Sequence, residues 1–374
     1  MRMHENSEHS GTTPSTPASP TAPVPADTIL LGVSTFGDVD LDADGAPKHH
    51  ARVLRQVVEQ AKVADAVGLH SFGVGEHHRK DFAVSAPDVV LAAIATATEN
   101  IRLGSAVTVL SSDDPIRVFQ RFATLDAVSN GRAEVILGRG SFTESFPLFG
   151  QDLADYDILF EEKLALYDQV RSQNPVNWDG RTRASLRGQM VYPHVEGRLL
   201  PTWIGVGGSP QSVVRTASYG YPMVLAIIGG EPERFRPYAD LFRRTLAEAG
   251  KEPQALSVHS PGYVAETDEQ ALEEYYPHWL AVRNKLGAER GWGPAGRGEF
   301  EAAADDDGAL FIGSPETVAA KVVRLKGTLG ADRFEMKYSS GTLPHEQMMR
   351  SIELFGSKVA PIVADKLADI PARR

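Results

Sequence analysis

The sequence predicts an α/β fold, a (β/α)8 TIM barrel with insertions, as one domain over residues 27–374. Short apolar runs of strand composition alternate with longer stretches whose apolar residues recur at helical spacing. In the first half the alternation repeats about every 30 to 40 residues, which calls for parallel strands joined by right-handed helical crossovers. Eight strand runs can be counted, the number that closes such a barrel.

The first strand is Thr28 to Val33, followed by a polar Asp- and Gly-rich loop over 34–47. Leu54, Val57, Val58, Ala61 and Ala64 form one stripe of a helix from about Ala51 to Val67, ended by Gly68. Ser71 to Gly75 is the second strand and Pro87 to Thr98 the second helix. Strand three starts at Ile101 and is expected to run on to Leu110. Asp114-Pro115 combines a capping acid with a proline suited to the first helical position. Val118, Phe119, Phe122, Leu125 and Val128 would bury this third helix, and Asn130-Gly131 closes it. Ala133 to Leu137 is strand four, and a helix follows from about Asp155 to Arg171.

Residues 174–200 read as an excursion with short hairpin strands. Thr202 to Val206 is strand five, and Ser209-Pro210 opens a helix that Gly220 ends. Met223 to Ala226 is strand six, a helix spans about Pro232 to Ala249, and Ser257 begins strand seven. A helix near 268–284 precedes a Gly-, Asp- and Ala-rich insertion over 287–308. Ser314-Pro315 starts another helix, Arg333 to Lys337 is strand eight, and a helix from Pro344 to Leu354 leads to the end.

Composition excludes several classes of function. A net charge of -11 argues against nonspecific nucleic-acid binding, which needs a basic face. The absence of cysteine rules out disulfides, thiol nucleophiles and thiolate metal sites. No apolar run is long enough for a membrane helix. Residues 1–26, with Pro14, Pro17, Pro20, Pro23 and Pro25 among Ser, Thr and Ala, read as a disordered extension without a secretory h-region. A cytoplasmic enzyme is expected.

The chemistry is concentrated at strand ends. Strand two stops on Glu76-His77-His78, and the carboxyl ends of parallel strands carry ligand sites. Histidine exchanges protons near neutrality; the alternative is a loop with two solvated histidines. Strand four ends in Gly138-Arg139-Gly140, so Arg139 is expected at the barrel mouth as an anion partner, or paired with Glu134 or Glu144. Gly207-Gly208-Ser209 lets backbone approach an anion at a helix start, with the Ser209 and Ser212 hydroxyls on its first turn. An ordinary capped helix is the other reading. His49-His50 and Asp305-Asp306-Asp307 read as solvated loops.

Three segments together resemble the bacterial luciferase-like flavin monooxygenase family. They are Gly75-Glu76-His77-His78, the run from Gly104 through Ser129-Asn130-Gly131-Arg132 to Gly138-Arg139-Gly140, and Val206-Gly207-Gly208-Ser209 through Gly220-Tyr221-Pro222-Met223. Gly313-Ser314-Pro315-Glu316-Thr317 and Leu343-Pro344-His345-Glu346-Gln347 are also similar. The resemblance implies a luciferase-like (β/α)8 barrel that binds reduced FMN and reacts it with oxygen. It implies that His77 is the catalytic proton-handling residue beside the flavin, with Glu76 close to it. It further implies a cis Ala106-Val107 bond under the ring, Arg139 near the phosphate, and a phosphate-binding turn of Gly207, Gly208, Ser209 and Ser212. The position before the arginine, a thiol in some relatives, is Gly138 here, which puts luciferase-like handling of long aldehydes in doubt.

A flavin monooxygenase acting on a small organic substrate is thus the expected function. A deazaflavin-dependent oxidoreductase, a flavin binder without turnover and a metal site at Glu76-His77-His78 are the alternatives. No dinucleotide-binding glycine fingerprint follows a strand, so reduced flavin would come from a separate reductase or from transient nicotinamide. The loops at 34–47, 141–154 and 287–308 would set the substrate. A homodimer is expected, and the second and third helices, with Val89, Leu91, Ile94, Phe119 and Phe122, are either its contact face or equally the layer that covers the strands.

Overall fold

The computed structural model describes residues 21–140 and 142–369. In chain order the strands and α-helices are β1 (Leu30–Thr35), α1 (His50–Ala66), β2 (Ser71–Val74), α2 (Pro87–Ala97), β3 (Arg102–Ser105), β4 (Thr108–Val109) and α3 (Pro115–Val128). They continue with β5 (Ala133–Gly138), α4 (Ser145–Leu148), α5 (Tyr156–Ser172), β6 (Val176–Trp178), β7 (Leu186–Gln189), β8 (Thr202–Val206), α6 (Pro210–Tyr219), β9 (Met223–Ala226) and α7 (Arg236–Glu248). The last third holds β10 (Leu256–Val264), α8 (Asp268–Arg290), α9 (Arg297–Ala304), β11 (Phe311–Gly313), α10 (Pro315–Leu329), β12 (Arg333–Lys337), α11 (His345–Leu354) and α12 (Ala360–Ala368).

Eight strands close a parallel barrel in the order β1, β2, β3, β5, β8, β9, β10, β12 and back to β1. These are the eight expected strands. The third is interrupted: β3 and β4 flank Ala106-Val107, whose peptide bond is cis, and β4 pairs onward with β5. Asp114 caps α3 through the Ile116 and Arg117 amides, and Asn130 and Gly131 leave it with φ of 56° and 82°, a pair of left-handed residues that their side chains permit.

Strand β12 shows how side chains are sorted. Arg333, Glu335 and Lys337 alternate with Phe334 and Met336, and a period of two sends the two sets to opposite faces. Arg333 reaches across the barrel to Glu134 on β5, Nη1 to Oε1 2.6 Å, with its guanidinium 4.2 Å from the Trp203 ring. The barrel floor is therefore charged. Phe334 and Met336 belong to the apolar layer between strands and helices.

Several expectations need correction. Leu91, Ile94, Phe119 and Phe122 are buried in the layer that covers the strands, so of the proposed dimer residues only Val89 faces solvent. Val128 is exposed, because the buried place on the last turn of α3 goes to Asp126, paired with Arg198. His49 and His50 open α1: His49 Nδ1 caps it by accepting from the Ala51 amide. Helix α8 runs to Arg290, the expected insertion contains α9, and just beyond it β11 extends the far end of β10. After α11 the chain continues through a π-helical turn into α12. Of the expected disordered extension, residues 1–20 lie outside the described residues. Residues 21–26 lie at the foot of the barrel, where Val24 N donates to Asp332 and Ala255 N to the Thr21 carbonyl.

Candidate active site

A cavity of about 480 Å³ opens at the carboxyl ends of the strands, within the size range of small-molecule sites. Its wall includes Glu76, His77, Ala106, Val107, Arg139, Gly207 and Ser212 of the expected residues. Segments separated by more than a hundred residues therefore meet in one place.

His77 leaves the end of β2 and is 7 % exposed. Its ring lies 4.7 Å from Phe36, 4.6 Å from Phe82 and 4.9 Å from Phe142. Its Nδ1 is 3.3 Å from Glu144 Oε1. An ionised carboxylate can only accept, so Nδ1 carries the hydrogen and Nε2 of the neutral ring is the free acceptor. Among the described residues Nε2 has no hydrogen-bond partner. Burial pushes the Glu144 carboxyl up, but the bonds from His77 and from backbone amides outweigh it and leave it below the usual range. Phe36 is held in turn by the loop after β1. Asp38 there accepts from Lys337 Nζ at 2.9 Å, Ser339 Oγ at 2.6 Å and the Gly341 amide at 3.0 Å.

Glu76 braces the site. Its Oε2 accepts from the Val109 amide at 3.0 Å and its Oε1 from His78 Nε2 at 2.8 Å. This fastens β4 to the end of β2 just beyond the cis bond. His78 packs edge-on against Phe149, on a different side from His77. Among the described residues no group of three or more His, Cys, Asp or Glu is placed to hold a metal ion.

At the other end of the cavity Arg139 donates from Nη2 to Ser212 Oγ at 3.3 Å and from Nη1 to Asp157 Oδ1 at 3.1 Å, with its guanidinium 5.2 Å from the Tyr156 ring. Neither Glu134 nor Glu144 pairs with it. Asp157 is 82 % exposed, so that ion pair is weak and easily exchanged for a better anion. A Cβ on Gly207 would meet nothing within 4 Å, which leaves its backbone open to a ligand. The expected anion turn is thus only partly assembled. Gly208 and Ser209 are not in the cavity wall. Gly208 adopts a φ of 100° to make the turn, and Ser209 caps α6 at the Ser212 amide while donating to Gln211 at 2.9 Å. The Ser209 oxygen accepts from the Ser212 amide and its single hydrogen goes to Gln211, so Ser212 is the serine that Arg139 meets.

Sequence reasoning missed Phe36, Phe82, Phe142, Tyr156, His259 and Glu335, and considered Glu144 only as an alternative partner of Arg139. His259 and Glu335 lie deep in the wall. Burial and then Lys337 lower His259 to about 4, so it is neutral near pH 7.

The arrangement fits a flat, anionic cofactor. An open glycine backbone, a serine and a weakly engaged arginine form one end, and a tautomer-fixed imidazole among phenyl rings flanks the middle.

The family model described as luciferase-like monooxygenase matches residues 32–333. N-acetyl-S-alkylcysteine monooxygenase of Bacillus subtilis (strain 168) is 28 % identical over 320 residues, covering 82 % of this chain and 90 % of the relative. The monooxygenase RslO1 from Streptomyces bottropensis superposes with a TM-score of 0.77 at 21 % identity, over 89 % of this chain and 99 % of that one. The oxygenating constituent of 3,6-diketocamphane monooxygenase from Pseudomonas putida, a complex with FMN, gives 0.72 at 17 % identity, over 90 % and 99 %. An F420-dependent secondary alcohol dehydrogenase gives 0.70 at 18 %, over 90 % and 99 %. With an unbroken match across most of its barrel, this chain belongs to the luciferase-like monooxygenase family.

Proposed function

We propose that this flavin-dependent monooxygenase uses reduced FMN and molecular oxygen to oxidise a small organic substrate. The observation that carries the reading is the shared cavity, in which His77 is locked by Glu144 at one side and Arg139 meets Ser212 at the other. Reduced flavin supplies the electrons that activate oxygen. Arg139, Ser212 and the open Gly207 backbone hold the phosphate, helped by the positive end of α6. The phenyl rings of Phe36, Phe82 and Phe142 keep water from the imidazole. His77 takes or returns a proton at Nε2, since Nδ1 is committed to Glu144.

A separate reductase, or a transiently bound nicotinamide, would supply the reducing equivalents for the flavin. A homodimer through the outward faces of α2 and α3 is part of the proposal, although only Val89 of the expected contacts is free to serve it. Among the described residues no helix is long and apolar enough to cross a membrane. A cytoplasmic location is proposed on the basis of composition.

The deazaflavin reading is favoured by one observation, the fold likeness to an F420-dependent enzyme. Parallel titrations with FMN and F420, followed by fluorescence quenching, separate the two. Micromolar FMN binding together with substrate-dependent oxygen uptake is expected. Binding of F420 alone would overturn the FMN assignment, and binding without uptake would leave a flavin carrier.

A further inference from the structure

Gly32 leaves a gap in β1 that its two neighbouring strands fill. A Cβ there would lie 2.1 Å from Ser71 Oγ and 2.7 Å from Glu335 Oε1. Gly32 stands opposite Glu335 on β12 and opposite Ser71 on β2, so all three point to the same face. The missing side chain lets the carboxyl reach across β1 to the serine hydroxyl, which donates to Oε1. Arg333 Nε approaches the same oxygen at 3.2 Å. Oε2 is buried and has no hydrogen-bond partner, and Glu335 belongs to the wall of the flavin cavity. Gly73 keeps the space beside Oε2 clear: a Cβ on it would lie 3.7 Å from that oxygen and 3.0 Å from Ala106 Cβ.

A buried carboxylate oxygen left without a donor is costly, and a proton or a ligand group removes that cost. Each element around Glu335 contributes a group. Ser71 comes from β2, Arg333 from β12 itself, Glu134 from β5 beyond that arginine, and Arg102 from β3 against Glu134. His259 stands opposite on β10 and, being neutral, brings no countercharge. Burial is the largest influence on Glu335; together with Glu134 it outweighs Arg333 and Ser71 and raises the carboxyl to about 7.

We propose that Glu335 is the proton-holding contact at the floor of the flavin cavity: neutral, it donates through Oε2 to the bound ring, and ionised, it opposes an electron-rich ring above it. This rests on the flavin reading given above. FMN binding should then be linked to proton uptake by Glu335.

The test is a fluorescence titration of the full chain with FMN from about pH 6 to about pH 8.5. For the wild type, Kd should rise roughly tenfold across this range relative to Glu335→Gln, which keeps a donor but cannot ionise; tenfold corresponds to a one-unit rise of the carboxyl pKa on binding. Ser71→Ala, which removes the donor that favours the ionised form, should move the midpoint to higher pH. Coincident pH profiles for wild type and Glu335→Gln overturn the proposal, and so does an unshifted midpoint in Ser71→Ala if the glutamine variant fails to fold. Absence of micromolar FMN binding by the wild type at every pH overturns the flavin reading as well.

Discussion

At the scale of single residues, His77 and Glu144 form a unit in which one group reacts and the other holds its tautomer. Replacing His77 by Ala should leave FMN affinity largely unchanged and slow substrate-dependent oxygen uptake by roughly 10² to 10⁴. Unchanged turnover would remove the residue from the chemistry. Glu144→Gln should also slow turnover, but by less, because the amide oxygen can still accept from Nδ1. Arg139 and Ser209 make a contrasting pair. Arg139→Ala should weaken FMN binding by about 1.5 to 3 kcal/mol, the worth of a hydrogen bond to a charged group. It should barely affect riboflavin, which lacks the phosphate. Ser209→Ala should cost about 1 kcal/mol of stability through the lost cap and leave the FMN-to-riboflavin ratio alone. Equal losses for both ligands in Arg139→Ala would contradict its placement at the phosphate.

At the scale of elements, most of the barrel could be read from the chain because each strand and helix carries its own signal. Asp114-Pro115 and Ser209-Pro210 announce helix starts by capping chemistry that needs no distant partner. The misses lie where the determinant is remote or the composition is bland. The Gly-, Asp- and Ala-rich 287–308 stretch gave no periodicity, yet it holds α9, and just beyond it β11 forms because the long β10 presents an open edge beyond its pairing with β12. Glu144 is 67 residues from His77 and sits in a loop, so only the fold brings them together. Glu335 was legible in part, since Arg333-Phe334-Glu335-Met336-Lys337 alternates charged and apolar residues, which implies a polar barrel interior. Gly32→Ala tests that interior directly. Its Cβ would collide with Ser71 and Glu335, so a marked drop in Tm is expected, and an unchanged Tm would show that the crossing is not tightly packed.

At the scale of the whole molecule, the buried ionisable groups set the pH range of the fold. His70 and His259 are each lowered to about 4, first by burial. Their folded values lie below the unfolded 6.5, so the folded state prefers the neutral rings. The stability they contribute is present above pH 6.5 and is lost as pH falls toward about 4. Glu335 acts in the opposite sense: its value is raised from 4.5 to about 7, so its contribution is present below 4.5 and is lost as pH rises toward 7. Two imidazoles oppose one carboxyl, so this set predicts a net fall in Tm on acidification below pH 6.5, steeper in Glu335→Gln. Thermal melts across that range check the slope, and a Tm that rises on acidification would contradict it.

The shared cavity is also a whole-molecule property, since its wall draws on all eight barrel strands or the loops that follow them. A crystal structure of the chain with FMN bound tests it most directly. The phosphate should lie on Arg139 and Ser212, with the ring beside His77 and above Glu335. A flavin bound elsewhere, or bound in this cavity with its phosphate away from Arg139, would contradict the assignment.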